Sequence, residues 1–279
     1  ISIIGKHCFS GCRNLKEVVL PKDLKEIPDG MFYKCESLEI VSVPHSVEKI
    51  GESSFYECEH LRSMDIPDSV VLIETSAFEH CWWLKIVNIG KGIKCIWDAA
   101  FSRCANLATV RLSNKINNIG RATFEHTKIR NLVIPDSIER IGELAFDGAG
   151  VETLVVGNGI KSTKVISEAF KTCATLKSIT LGSGITDLEE EAFSELKSLE
   201  EIKLGDAVTQ IHATAFDKLT SLKRVQIETQ VQLNRIAEIP MMNVDQSLKK
   251  ATIVAKSTLD FNDVGMFYNK KEDKGDYTE

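Results

Sequence analysis

The chain has 279 residues, of which 43% are apolar, and it carries a formal net charge of −6 at pH 7. This composition is too apolar for a disordered chain and supplies enough core for one large domain or an extended array. The negative charge, with basic runs no longer than lysine pairs, argues against a nucleic-acid partner.

Ten phenylalanines recur at almost constant steps along the chain. They occupy positions 9, 32, 55, 78, 101, 124, 146, 170, 193 and 216, so the steps are 23 residues except for one of 22 and one of 24. Alignment on them gives the unit I-G-x-x-A-F-x-x-C-x-x-L-x-x-V-x-I-P-x-x-V-x-x, which is clearest at residues 50–72. A unit of this length cannot bury its apolar face alone, so successive units must stack around a shared core.

Each unit is predicted to contain two strands and one helical turn. The L-x-x-V-x-I portion alternates and is rich in β-branched residues, which favours a short strand with one buried face. Pro67 follows this strand in one copy, and proline or glycine fills the same position in most others, which indicates a turn. The apolar pair Val47 and Ile50 predicts a second, shorter strand. The A-F-x-x-C-x-x-L portion has apolar residues at spacings of three, which favours a short helix or a single helical turn.

The sequence therefore predicts an α/β solenoid with a parallel β-sheet on one flank and short helices or helical turns on the other. Ten strands at the usual spacing would form a sheet roughly 50 Å long. Residues 1–231 are predicted to form ten repeats, and residues 232–279 a divergent terminal repeat with a C-terminal cap or tail. Leu248, Ala251 and Ile253 mark the strand of that last repeat. Within the array we expect Phe101 to be buried and Ser102 to be exposed.

The repeated pattern L-x-x-V-x-I-P-x-x-V-x-x-I-G-x-x-A-F-x-x-C resembles the BspA-type leucine-rich repeat, a 23-residue class also found in treponemal surface proteins. The match covers roughly Ile1 to Val231. The resemblance implies a leucine-rich repeat array of a surface or secreted protein of bacteria or parasitic protists. Several such proteins act as adhesins for host matrix proteins or for other cells. The resemblance implies no catalytic residues and no cofactor.

The adjacent pair His80 and Cys81 is the strongest candidate for catalytic or metal chemistry, and the repeat alignment argues against both. The position of Cys81, three residues after the phenylalanine, holds cysteine in six repeats and threonine, alanine or leucine in four, so it is a packing position. Parallel side chains are too far apart for disulfides between neighbouring repeats, so we expect free thiols. The position of His80 also holds glycine, lysine, glutamate and arginine, which indicates a solvated helix surface without metal-ligand spacing. Cys95 is predicted to be the most accessible thiol.

Three tryptophans depart from the repeat. Trp82, Trp83 and Trp97 lie in adjacent repeats at positions that other repeats fill mostly with small or polar residues. Exposed aromatic side chains often mark contact surfaces, so these three are predicted to bind a partner. The alternative is that the larger side chains fill a local groove or cover a neighbouring turn.

The open face of the main sheet is a second candidate surface. Strand alternation places an aliphatic middle and a charged end on this face. Around Ile86, Asn88, Arg111 and Val133 we predict contacts with a protein or glycan partner, since solenoids often bind on such faces. The alternative is that β-branched residues there reflect strand preference alone. The complete set of residues predicted to face outward is Ile40, Ser42, Asp65, Ile86, Asn88, Thr109, Arg111, Val133, Thr153, Val155, Thr180, Lys203 and Arg224.

Two functions remain open at this point. The first is a non-catalytic interaction module, an adhesin at the cell surface or secreted, whose ligand is a protein or glycan such as a host matrix protein. The second is an intracellular or self-associating scaffold, with which cysteines outside disulfides are compatible. No apolar run is long enough to span a membrane, and the first residues do not form a signal peptide. Because the chain does not begin with methionine, we expect it to be a mature or trimmed chain.

Overall fold

A computed structural model describes residues 4–212, 214–227 and 252–255. Each repeat forms one coil of a parallel β-solenoid, and we number the coils by their phenylalanines, so that coil 1 contains Phe9 and coil 10 contains Phe216. In chain order the elements are β1 Glu17–Val19, β2 Glu26–Ile27, β3 Ile40–Ser42, β4 Lys49–Ile50, β5 Ser63–Asp65, β6 Leu72–Ile73, β7 Ile86–Asn88, β8 Cys95–Ile96, β9 Thr109–Arg111, β10 Asn118–Ile119, β11 Asn131–Ile134, β12 Arg140–Ile141, β13 Thr153–Val156, α1 Thr163–Ala169, β14 Ser178–Thr180, β15 Asp187–Leu188, β16 Glu201–Lys203, β17 Gln210–Ile211, β18 Arg224–Ile227 and β19 Thr252–Ala255.

The first strand of each coil contributes to the main sheet. Its strands pair in parallel as β1-β3, β5-β7-β9 and β11-β13-β14-β16-β18-β19. The register is that of the repeat, so that Val87 of β7 lies between Met64 of β5 and Val110 of β9. The middle residue of each three-residue strand points inward and its two neighbours point outward, as the alternation predicts. The predicted parallel sheet is therefore confirmed.

The second strands form a further parallel sheet, the second sheet. Its strands run in the order β12-β10-β8-β6-β4-β2, with β15 and β17 paired separately. One buried isoleucine per strand keeps the register: Ile27, Ile50, Ile73 and Ile96 are neighbours in successive coils. The second strand predicted from Val47 and Ile50 is thus present, at Lys49–Ile50.

The phenylalanines form a continuous stack through the centre of the solenoid. From Phe9 to Phe170 the ring centroids of successive coils lie 4.8–5.6 Å apart. Phe101 is completely buried, as expected. Ser102 is also buried, at 1% exposure, and its hydroxyl lies 3.0 Å from a carboxylate oxygen of Glu125. The expectation that Ser102 is exposed was wrong, because its side chain faces Glu125 of the next coil.

The segments around the phenylalanines form a flank of turns, which we call the turn flank. In the described residues, one short helix is the only helical structure there. In most coils the second residue before and the second residue after the phenylalanine have positive φ, as at Ser76 (55°) and His80 (61°). A right-handed helix cannot contain such residues. The predicted short helices are therefore replaced by consecutive turns in all of these coils.

Hydrogen bonds explain why these turns are regular. In coil 4 the N–H groups of Ser76, Phe78 and His80 donate to carbonyl oxygens of coil 5 at 2.8–3.0 Å. The intervening N–H groups, of Ala77, Glu79 and Cys81, donate to the carbonyl three residues earlier in the same coil, at 3.1–3.2 Å. Alternate amides thus close turns and join coils, so the turn flank is a third hydrogen-bonded ladder along the solenoid.

Helix α1 is the exception, and it lies where one step between phenylalanines has 24 residues. It takes the place of a second-sheet strand between β12 and β15. Ser162 is its N-cap and accepts a hydrogen bond from the Lys164 N–H. At seven residues α1 is far too short to span a bilayer, and the described part of the chain contains no longer helix.

The predicted terminal repeat and tail lie mostly outside the described residues. Strand β19 is described, and it pairs in parallel with β18, with Ile253 beside Val225. A strand is thus present where the pattern around Ile253 predicts one. The boundary after residue 231 and the cap or tail remain predictions.

Candidate interaction surfaces

Four successive cysteines at the third position after phenylalanine, those of coils 2 to 5, form a buried column. Each thiol lies 3.1–3.2 Å from the carbonyl oxygen of the preceding coil's phenylalanine, in the pairs Cys35–Phe9, Cys58–Phe32, Cys81–Phe55 and Cys104–Phe78. Burial raises the pKa of the Cys35 thiol to about 11 and raises the pKa of Cys58 and of Cys104 well above 9.0. Because the thiolate is the nucleophilic form, these thiols act as packing groups, as predicted for this position.

Two predictions about the thiols were wrong in detail. Cys12 belongs to the same repeat position but is exposed, because it lies in coil 1 and no coil precedes it in the described residues. Cys8 is exposed as well, whereas Cys95 is only partly exposed and accepts a hydrogen bond from the Asn118 amide at 3.2 Å. Cys95 is therefore not the most accessible thiol. Among the described residues, no three histidine, cysteine or acidic side chains lie close enough to hold a metal ion.

The three tryptophans are all about half exposed, at 48% for Trp82, 51% for Trp83 and 49% for Trp97. They do not form one patch. Trp82 and Trp83 lie at the corner where the turn flank of coil 4 leads into β7, and Trp97 lies where β8 leads into the turn flank of coil 5. In the described part of the chain, no ring contact joins Trp97 to the other two. Trp82 and Trp83, which are consecutive in sequence, thus share one corner of their coil, and Trp97 lies at a different corner.

Trp82 belongs to a line of aromatic side chains along the turn flank, which we call the aromatic row. The rings of Tyr33 and Tyr56 stack with centroids 5.0 Å apart, and Tyr56 meets the edge of His80 at 5.7 Å. The Trp82 indole N–H donates to Nδ1 of His80 at 3.3 Å. His80 is therefore held between two aromatic residues. The helix predicted at its position is a turn, whereas the predicted solvation is seen at Arg103 and His126, which are exposed at the same position.

The sequence analysis missed Tyr33 and Tyr56. They occupy the position directly after the phenylalanine in two successive repeats, where other repeats have serine, aspartate, glutamate or lysine. That pair of tyrosines, one repeat apart, was a detectable departure from the pattern. Its continuation to His80 and Trp82 was not detectable, because it depends on the positive φ at His80.

The main sheet presents the outward residues that alternation predicts. Ile86 is 47% exposed, Val133 61% and Val155 42%, and Val133 lies directly beside Val155 in the register of β11 and β13. Thr180 and Lys203 are only partly exposed. The described sheet thus brings Ile86, Asn88, Arg111 and Val133 onto one face over β7, β9 and β11.

Charges on this face are concentrated towards its ends. Over β7, β9, β11, β13 and β14, Arg111 is the one charged residue among the outward positions of these described strands. The neighbouring Asn88 donates to Asp65 at 2.6 Å, so that carboxylate is already occupied. No carboxylate of the described residues pairs with Arg111. The middle of the main sheet is thus a partly aliphatic surface whose one charged group, among the described residues, is the guanidinium of Arg111.

Comparisons with known proteins agree with the repeat. The model of the BspA type leucine-rich repeat region matches residues 1–96, 25–152 and 145–272. No curated protein matches the sequence.

Among solved structures, the chain is similar to a leucine-rich repeat protein from Bacteroides ovatus, with 26% identity, a TM-score of 0.48 and coverage of 81% of this chain and 70% of that one. It is also similar to a leucine rich cell surface protein from Faecalibacterium prausnitzii, with 23% identity, a TM-score of 0.45 and coverage of 91% and 76%. A leucine-rich repeat protein of T. pallidum has 23% identity, a TM-score of 0.42 and coverage of 66% and 74%. Because the family model covers nearly the whole length, this chain belongs to the BspA-type leucine-rich repeat family.

Proposed function

We propose that the protein is a non-catalytic interaction module that binds a protein partner on the main sheet around Ile86, Asn88, Arg111 and Val133. The observation that carries the proposal is the exposed, partly aliphatic middle of this sheet. Core packing does not require aliphatic side chains at outward positions, yet Ile86, Val133 and Val155 are each more than 40% exposed there, and Val133 lies directly beside Val155. Outward positions of a strand accept any polar residue, as Asp65 and Lys203 illustrate on the same face.

The chemistry of this surface favours protein over glycan. Sugar rings stack on aromatic side chains, and the outward positions of the described main-sheet strands carry none. Asparagine, threonine and serine side chains there can hydrogen-bond to a partner's backbone or polar side chains. Arg111 offers five N–H donors to a partner carboxylate, which would give the contact an orientation. A glycan ligand would instead use Trp82, Trp83 or Trp97.

The adhesin role and a location at the cell surface or in the secreted fraction are part of this proposal. The resemblance to treponemal-type surface proteins supports them. A scaffold within a reducing compartment is the second candidate, and the free cysteines in the described part of the chain favour it. The complete reading frame and fractionation of cells that express it distinguish the two, since a secretory signal and a surface location would exclude the scaffold.

The binding test uses immobilised host matrix proteins and a glycan array as probes, and sedimentation velocity to measure self-association. Val133→Asp and Arg111→Glu each change one side chain in the middle of the main sheet, and Arg103→Glu is a matched charge change on the turn flank. We expect the two main-sheet variants to bind a matrix protein at least about tenfold more weakly, with Arg103→Glu unchanged. If both main-sheet variants keep wild-type affinity for every bound probe, the main sheet is not the binding surface.

A further inference from the structure

We propose that the aromatic row is a second binding surface, which takes a basic segment of a partner protein. It lies on the turn flank of coils 2–4, away from the main sheet. The proposal is independent of the function proposed for the main sheet. It rests on the continuity of the row, on an ammonium group that already occupies one end of it, and on the surrounding charge.

Continuity comes from contacts across three coils. Tyr33, Tyr56 and His80 follow one another through a stacked contact and an edge contact, and Trp82 is joined to His80 by its indole N–H. Trp82 is 48% exposed, and no other ring of the described residues stacks on it. The row therefore ends on an open indole surface.

Lys34 shows how this surface holds a cation. Its Nζ lies 5.5 Å from the ring centroid of Tyr33, and the same Nζ lies 3.6 Å from a carboxylate oxygen of Glu57. An ammonium group thus contacts an aromatic face and a glutamate at once, which combines a cation–π interaction with an ion pair. At the other end of the row, His80 lies between the two groups: its Nδ1 accepts from the Trp82 indole at 3.3 Å, and its Nε2 lies 3.9 Å from a carboxylate oxygen of Glu79. No lysine or arginine of the described chain pairs with Glu79 or lies over the Trp82 ring.

The charge around the row selects a basic partner. Residues 51–60 and 74–83, the turn segments of coils 3 and 4, contain five glutamates and neither lysine nor arginine. Lys34 pairs with Glu57 and Lys49 pairs with Glu74, at 3.6 and 3.0 Å. In the described structure, Glu52 and Glu59 have no ion-pair partner, and the only partner of Glu79 there is His80, at 3.9 Å. Burial is the main cause of the raised pKa of Tyr56, and the negative charges of Glu57 and Glu79 add to it.

The same features argue against other occupants. An acidic peptide or a phosphate group would be repelled by the excess of glutamates on coils 3 and 4. A neutral sugar could stack on the open indole of Trp82, but it carries no cation to pair with the surrounding carboxylates, and Tyr33 and Tyr56 stack on each other. Arginine fits best, because its guanidinium group stacks on indole and pairs with carboxylate.

The test uses a fluorescently labelled twelve-residue peptide of alternating arginine and glycine, with a glutamate–glycine peptide as its counterpart. Binding to the full chain is measured by fluorescence anisotropy in 50 and 300 mM salt. We expect the arginine peptide to bind, the glutamate peptide not to bind, and higher salt to weaken the binding. Trp82→Ala should weaken it about tenfold or more, Tyr56→Leu about fivefold, and Glu79→Gln about threefold.

Two matched controls separate a site from general attraction to an acidic protein. Trp97→Ala removes a tryptophan of equal exposure, and Glu139→Gln removes an exposed glutamate outside the row; both should stay within twofold of wild type. The main-sheet variant Arg111→Glu should not weaken peptide binding, whatever its effect on matrix proteins, so the two proposals fail separately. Equal binding of both peptides, unchanged affinity of folded Trp82→Ala and Tyr56→Leu, or equal losses in Trp97→Ala and Trp82→Ala would each overturn the proposal.

Discussion

The rings of Phe78 and Phe101 are parallel to within 2°, and their centroids lie 5.1 Å apart. Phe124 continues the stack on the other side of Phe101 at 5.5 Å. Each ring therefore packs against two coils at once, and its removal leaves a cavity that neither neighbour can fill alone.

Phe101→Ala is expected to destabilise the protein by roughly 3 to 5 kcal/mol, because it removes a fully buried aromatic side chain from the middle of the stack. Urea unfolding followed by circular dichroism measures the loss. Lys115→Ala, at an exposed position, is the control and should change the free energy of unfolding by less than about 0.5 kcal/mol. Equal shifts for the two variants would contradict the stacked core.

The thiols are expected to react in an order set by burial. Brief alkylation of the native protein should label Cys8 and Cys12 first and Cys95 next, while Cys58 and Cys104 stay protected, since burial suppresses their thiolate forms. Mass spectrometry of the digested protein gives the labelled fraction of each cysteine. Early labelling of Cys58 or Cys104 would show that the column opens readily.

Ala99→Gly is expected to stabilise the protein by about 0.5 to 1 kcal/mol. Ala99 has φ of 54°, a left-handed conformation that costs an L-residue roughly 1 to 2 kcal/mol and costs glycine little. Part of the gain is lost because glycine is more flexible in the unfolded chain. Ala105→Gly is the control: Ala105 lacks a positive φ, so glycine should destabilise there. Thermal unfolding of the two variants should therefore shift in opposite directions.

Glu189 is expected to make stability depend on pH in the acidic range. Partial burial alone would raise the pKa of Glu189, but hydrogen bonds from Ser162, the Lys164 N–H and Thr163 outweigh it and hold the pKa below 4.5. The distances to Oε2 are 2.7, 2.9 and 2.9 Å. A carboxyl group with a lowered pKa in the folded state stabilises above its unfolded pKa, and this contribution is lost as the pH falls through the folded value.

Glu189→Gln should therefore be less stable than wild type at pH 7, by roughly 1 kcal/mol after allowance for solvent exposure. The difference should shrink as the pH is lowered from 4.5 towards 3. Urea unfolding of both proteins at pH 7, 4.5 and 3 measures this difference in the free energy of unfolding. A difference that stays constant over this range would mean that the ionised carboxylate does not hold the start of α1.

The strands and the core were predictable because the ten repeats of the chain can be aligned with one another. A position that accepts cysteine, threonine, alanine and leucine in different repeats, as that of Cys81 does, has to be a packing position. Alternation along each strand predicted the outward face at Ile86 and Val133. In both cases a period of two or a spacing of three decides which side chains face the core.

The turn flank was not predictable in this way. Ser76 and Ala99 adopt positive φ, although neither is a glycine or an asparagine, the residues that usually adopt that conformation. Their backbone is held by hydrogen bonds to the next coil, so the cause lies outside the local sequence. The aromatic row could not be predicted for the same reason, because the contacts of His80 depend on the conformation of the turn that contains it.

The ladder on the turn flank also has a mechanical consequence. Its coil-to-coil hydrogen bonds, like those of the two sheets, point along the solenoid axis, and each coil is held by its neighbours alone. A force that pulls the two ends apart would load these bonds in series and detach one coil at a time. Each 23-residue coil could then release at most about 80 Å of extended chain, so a tether built from this array would lengthen in steps rather than break at once.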